Sequence, residues 1–214
     1  GGEVNGQPIG SIADISTFSF HPVKPIATGE GGMVTTDDEA LAKKMRQFRN
    51  HCINSDHRER QEQGSWFYEM TDLGYNYRLT DIQCALGMTQ LKNVPKWTAR
   101  RQEIAKIYDK AFSEMDAVTP LAVRENISHT YHLYVVQVRK DRAEVFQALR
   151  SENIGVNVHY IPVHLHPFYQ KNFGTKKGQY PVAEEAYEHM LSLPIFPTMT
   201  NEDVADVITA LQKV

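Results

Sequence analysis

The stretch FSFHPVKPIATGEGG, residues 18–32, constrains this chain more than any other. Residues 12–20, IADISTFSF, alternate and are rich in Ile, Phe and Thr, which predicts a strand ending near Phe20. GGMVTT, residues 31–36, predicts a second strand entered through glycines. Between the two, Pro22 and Pro25 fix φ on either side of Lys24 and remove two backbone donors. Gly29, Gly31 and Gly32 permit positive φ and close backbone approach. Most lysines are simply solvated, and a solvated loop lysine needs no such frame. A stiff lysine at a strand end beside a glycine turn suits Schiff-base chemistry. There a neutral amine attacks a carbonyl, and burial or nearby cations lower the amine's pKa toward that state.

Composition narrows the setting. With 214 residues, 41% hydrophobic and 23% charged, the chain can build one large domain or two small ones. A formal charge of −3 with no basic run or stripe argues against a nucleic-acid partner. No stretch approaches the ~20 apolar residues of a membrane span and no signal-peptide pattern opens the chain, so no membrane partner and a cytoplasmic location are expected. Cys52 and Cys84 are far apart and form no C-x-x-C pair. They read as reduced thiols, with a bridge left open. The chain opens on a loop running into its best motif, which suggests the C-terminal portion of something longer.

Further along, residues 37–51 predict a helix with an acidic first turn and a basic later part, as the helix dipole prefers. The polar stretch 52–72 reads as a long loop. TDIQ at Thr80 is a capping box opening a helix whose buried face would be Ile82, Ala85 and Leu86. Pro95 marks a boundary, followed by an amphipathic helix carrying Trp97, Ile104, Tyr108, Ala111 and Met115. Residues 1–95 and 96–214 are accordingly read as two domains. In the second, YHLYVVQV (131–138, with Thr130 before it) is a buried strand. DRAEVFQALRSEN is a helix capped by Asp141 with Gly155 just past its end, and IGVNVHYIP is a second strand. PVAEEAYEHMLSLP is a helix with Pro181 near its first turn. TNEDVADVITALQKV closes the chain, capped by Thr200, with Val204, Val207, Ile208 and Leu211 on one face.

Four segments in order carry a resemblance. SFHPVKPIATGEGG resembles the lysine motif of the DegT/DnrJ/EryC1/StrS nucleotide-sugar aminotransferases, fold-type I enzymes dependent on pyridoxal 5'-phosphate (PLP), in which a T-x-E-G-G type turn follows the lysine. LGYNYRLTDIQCALGMTQL (73–91) is similar to their G-x-N-x-R segment and the helix after it. VNVHYIPVHLHPFY (156–169) resembles the substrate-side segment of their small domain, and LSLPIFPTMT (191–200) matches a stretch near their end. Within the group the chain looks most like members of the pseudaminic acid pathway, which act on a UDP-4-keto-6-deoxy-HexNAc sugar.

The resemblance implies an α/β fold: residues 1–95 as the C-terminal part of the large PLP-binding domain and 96–214 as a small α/β domain. It implies Lys24 as the catalytic, cofactor-bearing lysine, with Ser19 on the cofactor phosphate. Asn76 would reach the phosphate of the neighbouring subunit in a homodimer with composite sites, a neutral amide donor suited to a dianion. Arg78 either adds charge there or at the substrate, or anchors its loop. His159, Tyr160 and His164 would bind the nucleotide sugar, and glutamate would be the amino donor. Related sugar dehydratases carry histidine at the lysine position, so Lys24 favours transamination. The partner of the pyridine nitrogen, the ring-stacking aromatic and part of the phosphate cup would come from an earlier half of the fold.

The residues themselves leave alternatives open. His21 reads equally as a cofactor neighbour and as a structural histidine, and Glu30 as a brace for the glycine turn through backbone amides. His159, His164 and His166 admit a metal reading, but no cysteine or paired carboxylate stands near in sequence to complete a ligand set. No metal is therefore expected. A binding or dimerisation module without activity, a metal hydrolase and another PLP-dependent sugar-modifying enzyme are the competing readings.

Overall fold

Asn5 and Gly6 both take positive φ, 52° and 75°, the pattern of a two-residue hairpin turn. They let β1 (Glu3–Val4) fold back antiparallel on β2 (Gln7–Pro8). The computed structural model, which describes residues 1–214, divides into two compact units, Gly1–Val94 and Pro95–Val214.

In the first unit, strand forms only over the last part of the alternating stretch, as β3 (Ser16–Ser19). It pairs antiparallel with β4 (Gly32–Thr35), Ser16 opposite Thr35 and Ser19 opposite Gly32. Residues 20–31, with Lys24, therefore form the loop of a β-hairpin. Helix α1 (Glu39–Phe48) begins where Asp38 Oδ1 accepts the Ala40 and Leu41 amides at 2.7 and 2.9 Å. The stretch read as one long loop contains α2 (His57–Glu62), opened by a capping box between Asp56 and Glu59. The D-x-x-E spacing was legible there, but the surrounding polarity masked it. The Thr80 capping box opens α3 (Asp81–Leu91) as expected.

The expected buried face of α3 is a correction. Ile82 is 83% exposed and Leu86 is also exposed. The face turned inward carries Gln83, Gly87 and Gln90, spaced by four and three residues. Hydrophobicity did not select this face, because what it packs against is a loop rich in unpaired backbone groups. In this unit only Thr28 is buried, at 4% exposure.

The second unit holds the hydrophobic core. It opens with α4 (Val94–Phe112), whose first turn includes Pro95 and whose Ile104, Ala105, Tyr108 and Phe112 are buried. Then come β5 (Val118–Pro120), β6 (Ile127–Ser128) and β7 (Tyr134–Val138). After α5 (Arg142–Ser151), capped by Asp141, the left-handed residue is Asn153 and not Gly155. A short 3-10 turn, Val163–Leu165, leads into α6 (Pro167–Phe173) and α7 (Pro181–His189). The remaining elements are β8 (Met190–Leu193) and α8 (Asn201–Gln212).

Two further expectations are corrected here. IGVNVHYIP forms no strand; only Asn157 pairs, in an isolated antiparallel bridge with Ser192. Residues 190–193 leave the helix and become β8, because Leu191, Ser192 and Leu193 are all buried and Met190 already has an extended backbone. The sheet runs β5–β7–β8, antiparallel, with Tyr134 opposite Leu193 and Val118 opposite Val138. Ile104, Tyr108, Val136, Leu149, Leu191 and Val204 form the centre of the core around it. The two buried phenols in it are paired: Tyr108 OH donates to Pro194 O at 2.9 Å, and Tyr134 OH to Asp109 Oδ1 at 2.6 Å. Burial raises both phenols' pKa values, and for Tyr134 the Asp109 carboxylate adds to it.

Candidate active site

Pro22 and Pro25 deny the hairpin loop two donors, so it makes few main-chain bonds of its own. Lys24 N donates to His21 O at 2.9 Å, Thr28 N to Phe20 O at 3.0 Å, and Phe20 N to Gly31 O at 2.9 Å. The rest comes from α3. The Gln90 carboxamide takes both main-chain groups of Ala27, accepting from its N–H at 3.0 Å and donating to its carbonyl at 2.8 Å. Gln83 Nε2 donates to Thr28 O at 3.3 Å and Glu30 O at 2.9 Å. Thr28 Oγ1 donates to Glu30 O at 2.7 Å. Glu30 therefore braces the turn through its carbonyl, where the sequence suggested its side chain.

The glycines are used unequally. Gly31 has φ +146°, and a Cβ there would lie 2.6 Å from Leu79 Cδ2 and 2.7 Å from Thr28 Oγ1. A Cβ on Gly87 would stand 3.1 Å from Thr28 Cγ2, which is why the α3 face is flat where the loop lies on it. Within this frame Lys24 is half-buried and takes part in none of the chain's salt bridges, which join Arg100 to Glu103 and Lys213 to Glu152. Ser19 is exposed at the end of β3, its Oγ accepting the His21 amide at 3.3 Å. An amine on a braced loop, with a hydroxyl at the adjoining strand end, fits an aldehyde-bearing phosphate ligand.

Asn76 and Arg78 lie on an exposed segment that pairs with residues 48–51. Tyr75 N donates to Phe48 O at 2.7 Å, His51 N to Tyr75 O at 2.9 Å and Tyr77 N to Arg49 O at 2.9 Å. Asn50 and Asn76 form a bridge, and Arg78 Nη1 donates to Asn50 Oδ1 at 2.6 Å. Arg46, Arg49, His51, Arg60 and Arg78 line a cleft of about 610 Å3 in which Asp56 is the one carboxylate. Asp56 is already engaged by the Glu59 and Arg58 amides, which hold its pKa below the ordinary value. The arginines therefore face the cleft without an ion-pair partner.

In the second unit, His159 Nδ1 lies 2.8 Å from Ser192 Oγ, and Tyr160 is 67% exposed. His164 is placed differently. It and Glu184 are each 8% exposed, with His164 Nε2 at 2.8 Å from Glu184 Oε1. Glu184 also accepts the Gly178 amide at 2.8 Å and the Tyr180 amide at 3.3 Å, and Tyr180 stacks edge-on against the His164 ring. The Gly178 amide first, then His164, lowers the Glu184 pKa. His164 is thus a buried brace between the 3-10 turn and α7, while His166 is exposed. No group of three His, Cys, Asp or Glu side chains is arranged to hold a metal ion. Thr28, Gln90 and Glu184 were not singled out from the sequence. Each looks ordinary in its own segment and acquires its partners only on folding.

Residues 1–212 match the DegT/DnrJ/EryC1/StrS aminotransferase family, and the chain belongs to it. The spore coat polysaccharide biosynthesis protein SpsC of Bacillus subtilis is 45% identical over 96% of this chain and 55% of its own length. The UDP-4-amino-4,6-dideoxy-N-acetyl-beta-L-altrosamine transaminase of Campylobacter jejuni is 37% identical over 95% of this chain and 53% of its own. Among solved structures, Spr1654 of Streptococcus pneumoniae in its PMP form superimposes with a TM-score of 0.91 at 34% identity, over 99% of this chain and 55% of that one. The chain spans about half the length of the curated relatives it matches. The fold is α/β, of the fold-type I aminotransferase class, and PLP is the cofactor of the family.

Proposed function

We propose that this chain supplies the lysine, and part of the substrate site, of a PLP-dependent nucleotide-sugar aminotransferase. The observation that carries the reading is Lys24, half-buried on a hairpin loop whose main chain is held from α3 and whose amine has no ion-pair partner. PLP, when bound, supplies an aldehyde carbon and an electron sink. Lys24 would hold it through Nζ, and the same nitrogen, when free, would take and return the proton of the amino donor's Cα. Ser19 offers its hydroxyl to the phosphate. Asn76 offers a neutral carboxamide to the phosphate of the partner subunit, in a homodimer with composite sites. Residues 1–95 are the C-terminal part of the large cofactor domain and 96–214 the small domain.

For substrate we propose a UDP-4-keto-6-deoxy-HexNAc sugar with glutamate as amino donor, so that the donor leaves as its keto acid and the sugar gains the amine at C4. The transaminase named for the Campylobacter relative supports the sugar, and the SpsC name supports a role in polysaccharide synthesis. The arginine cleft with Arg78 suits the diphosphate, since guanidinium groups pair with phosphate oxygens. His159 and the exposed Tyr160 are the groups we assign to hydrogen bonds with sugar hydroxyls. His164 serves by fixing their loop. Borohydride reduction of the full-length protein with PLP, followed by peptide mapping, should leave a pyridoxyl group on Lys24. Lys24→Arg should carry none, because a guanidinium stays protonated and forms no imine. A label absent from the wild type, or on another lysine, contradicts the reading.

A further inference from the structure

We infer that Gln90 is a positioning residue for Lys24, acting through the main chain of Ala27. The inference rests on the proposed lysine chemistry. The two prolines that stiffen the lysine loop also stop it from building its own ladder, so its aim depends on an outside contact. Gln90 provides that contact in the manner of a neighbouring strand, one acceptor and one donor on the same residue, three positions after Lys24. Both bonds are partly buried, which strengthens them relative to exposed ones and makes an unpaired Ala27 group costly. Gln83 holds Thr28 and Glu30 from the same face, but it also caps α3. The Gln90 side chain bonds to Ala27 alone, so it isolates the aiming function.

The carboxamide's double role suggests a specific variant. A protonated glutamic acid can accept from the Ala27 N–H and donate to its carbonyl, as glutamine does. An ionised glutamate sets a negative oxygen against that carbonyl. Gln90→Glu therefore restores the contact at low pH and breaks it at high pH, whereas Gln90→Leu breaks it at every pH.

The test uses the cofactor-free full-length protein. Two quantities are measured relative to wild type at the same pH: the rate at which added PLP becomes borohydride-fixed on Lys24, and amide exchange in residues 24–31. At about pH 8, both variants should label about 10- to 100-fold more slowly than wild type, the cost of a misplaced reacting group. Both should also exchange faster in the loop. At about pH 5, near the range in which a partly buried glutamic acid is protonated, Gln90→Glu should return toward wild type and Gln90→Leu should not. Gln90→Glu matching wild type at about pH 8, or equally impaired at both pH values, overturns the inference, and this holds even if Gln90→Leu fails to fold. A wild type unlabelled at Lys24 sinks the proposed lysine chemistry instead. The exchange data then still decide whether Gln90 clamps the loop: unchanged exchange in the variants rejects the clamp.

Discussion

Replacing Gly31 by alanine tests how tightly the lysine turn is built. Gly31 has φ +146°, and its Cβ would sit 2.7 Å from Thr28 Oγ1 and 2.6 Å from Leu79 Cδ2. The backbone strain of a non-glycine residue there costs about 1–3 kcal/mol. Displacing the Thr28 hydroxyl from Glu30 O adds about 1 kcal/mol. Gly29 is the internal control: its φ is +82°, but nothing lies within 4 Å of a Cβ. Gly29→Ala should therefore carry only the left-handed backbone cost of about 1–2 kcal/mol. The difference, about 1–2 kcal/mol, reads as about 5- to 30-fold faster opening in Gly31→Ala than in Gly29→Ala. The reporter is hydrogen exchange at the Thr28 amide, which is bonded to Phe20 O at 3.0 Å and opens with the turn. Equal exchange in the two variants would refute the claim that side-chain contacts, and not φ alone, require glycine at position 31.

Two further outcomes follow from the sites. Asn76→Ala should weaken PLP retention by about 1–3 kcal/mol, the cost of one missing donor. In a mixed dimer with Lys24→Ala, composite sites leave one site carrying both lesions and the other intact, so activity rises above that of either parent; a verified mixed dimer without such a gain rules out the shared site. Folding lowers the Glu184 pKa below its ordinary 4.5. The stability that this carboxylate contributes is therefore full above that value and is lost as pH falls through the lower folded value. Thermal melts of wild type and Glu184→Gln should converge as pH drops below about 4.5, and a gap that stays constant with pH contradicts the assignment.

The backbone frame around Lys24 and several helix starts were legible because local covalent and near-neighbour features encode them. Pro22, Pro25 and the glycines restrict the backbone wherever they stand, and the capping residues Asp38, Thr80, Asp141 and Thr200 bond to amides two or three positions away. Such signals need no tertiary partner. The α3 face was misread for the opposite reason. Periodicity reports which residues are apolar, not what lies opposite them, and opposite α3 lies a loop with unpaired main-chain groups that select Gln83, Gly87 and Gln90. Residues 154–160 and 190–193 show the same limit in the second unit. Alternation at 154–160 looks like a strand but supplies one bridge, whereas Leu191, Ser192 and Leu193 become strand because the core beside β7 buries them. His164 could be nominated from its neighbours in sequence, but its burial against Glu184, twenty residues on, depends on where α7 packs. The sequence by itself determined the stiff frame around Lys24 and the starts of α3, α5 and α8, since these rest on covalent geometry and bonds between near neighbours. Tertiary structure alone decided which polar groups brace the lysine loop and which histidine faces outward, since these rest on hydrogen bonds between segments 20 to 63 residues apart.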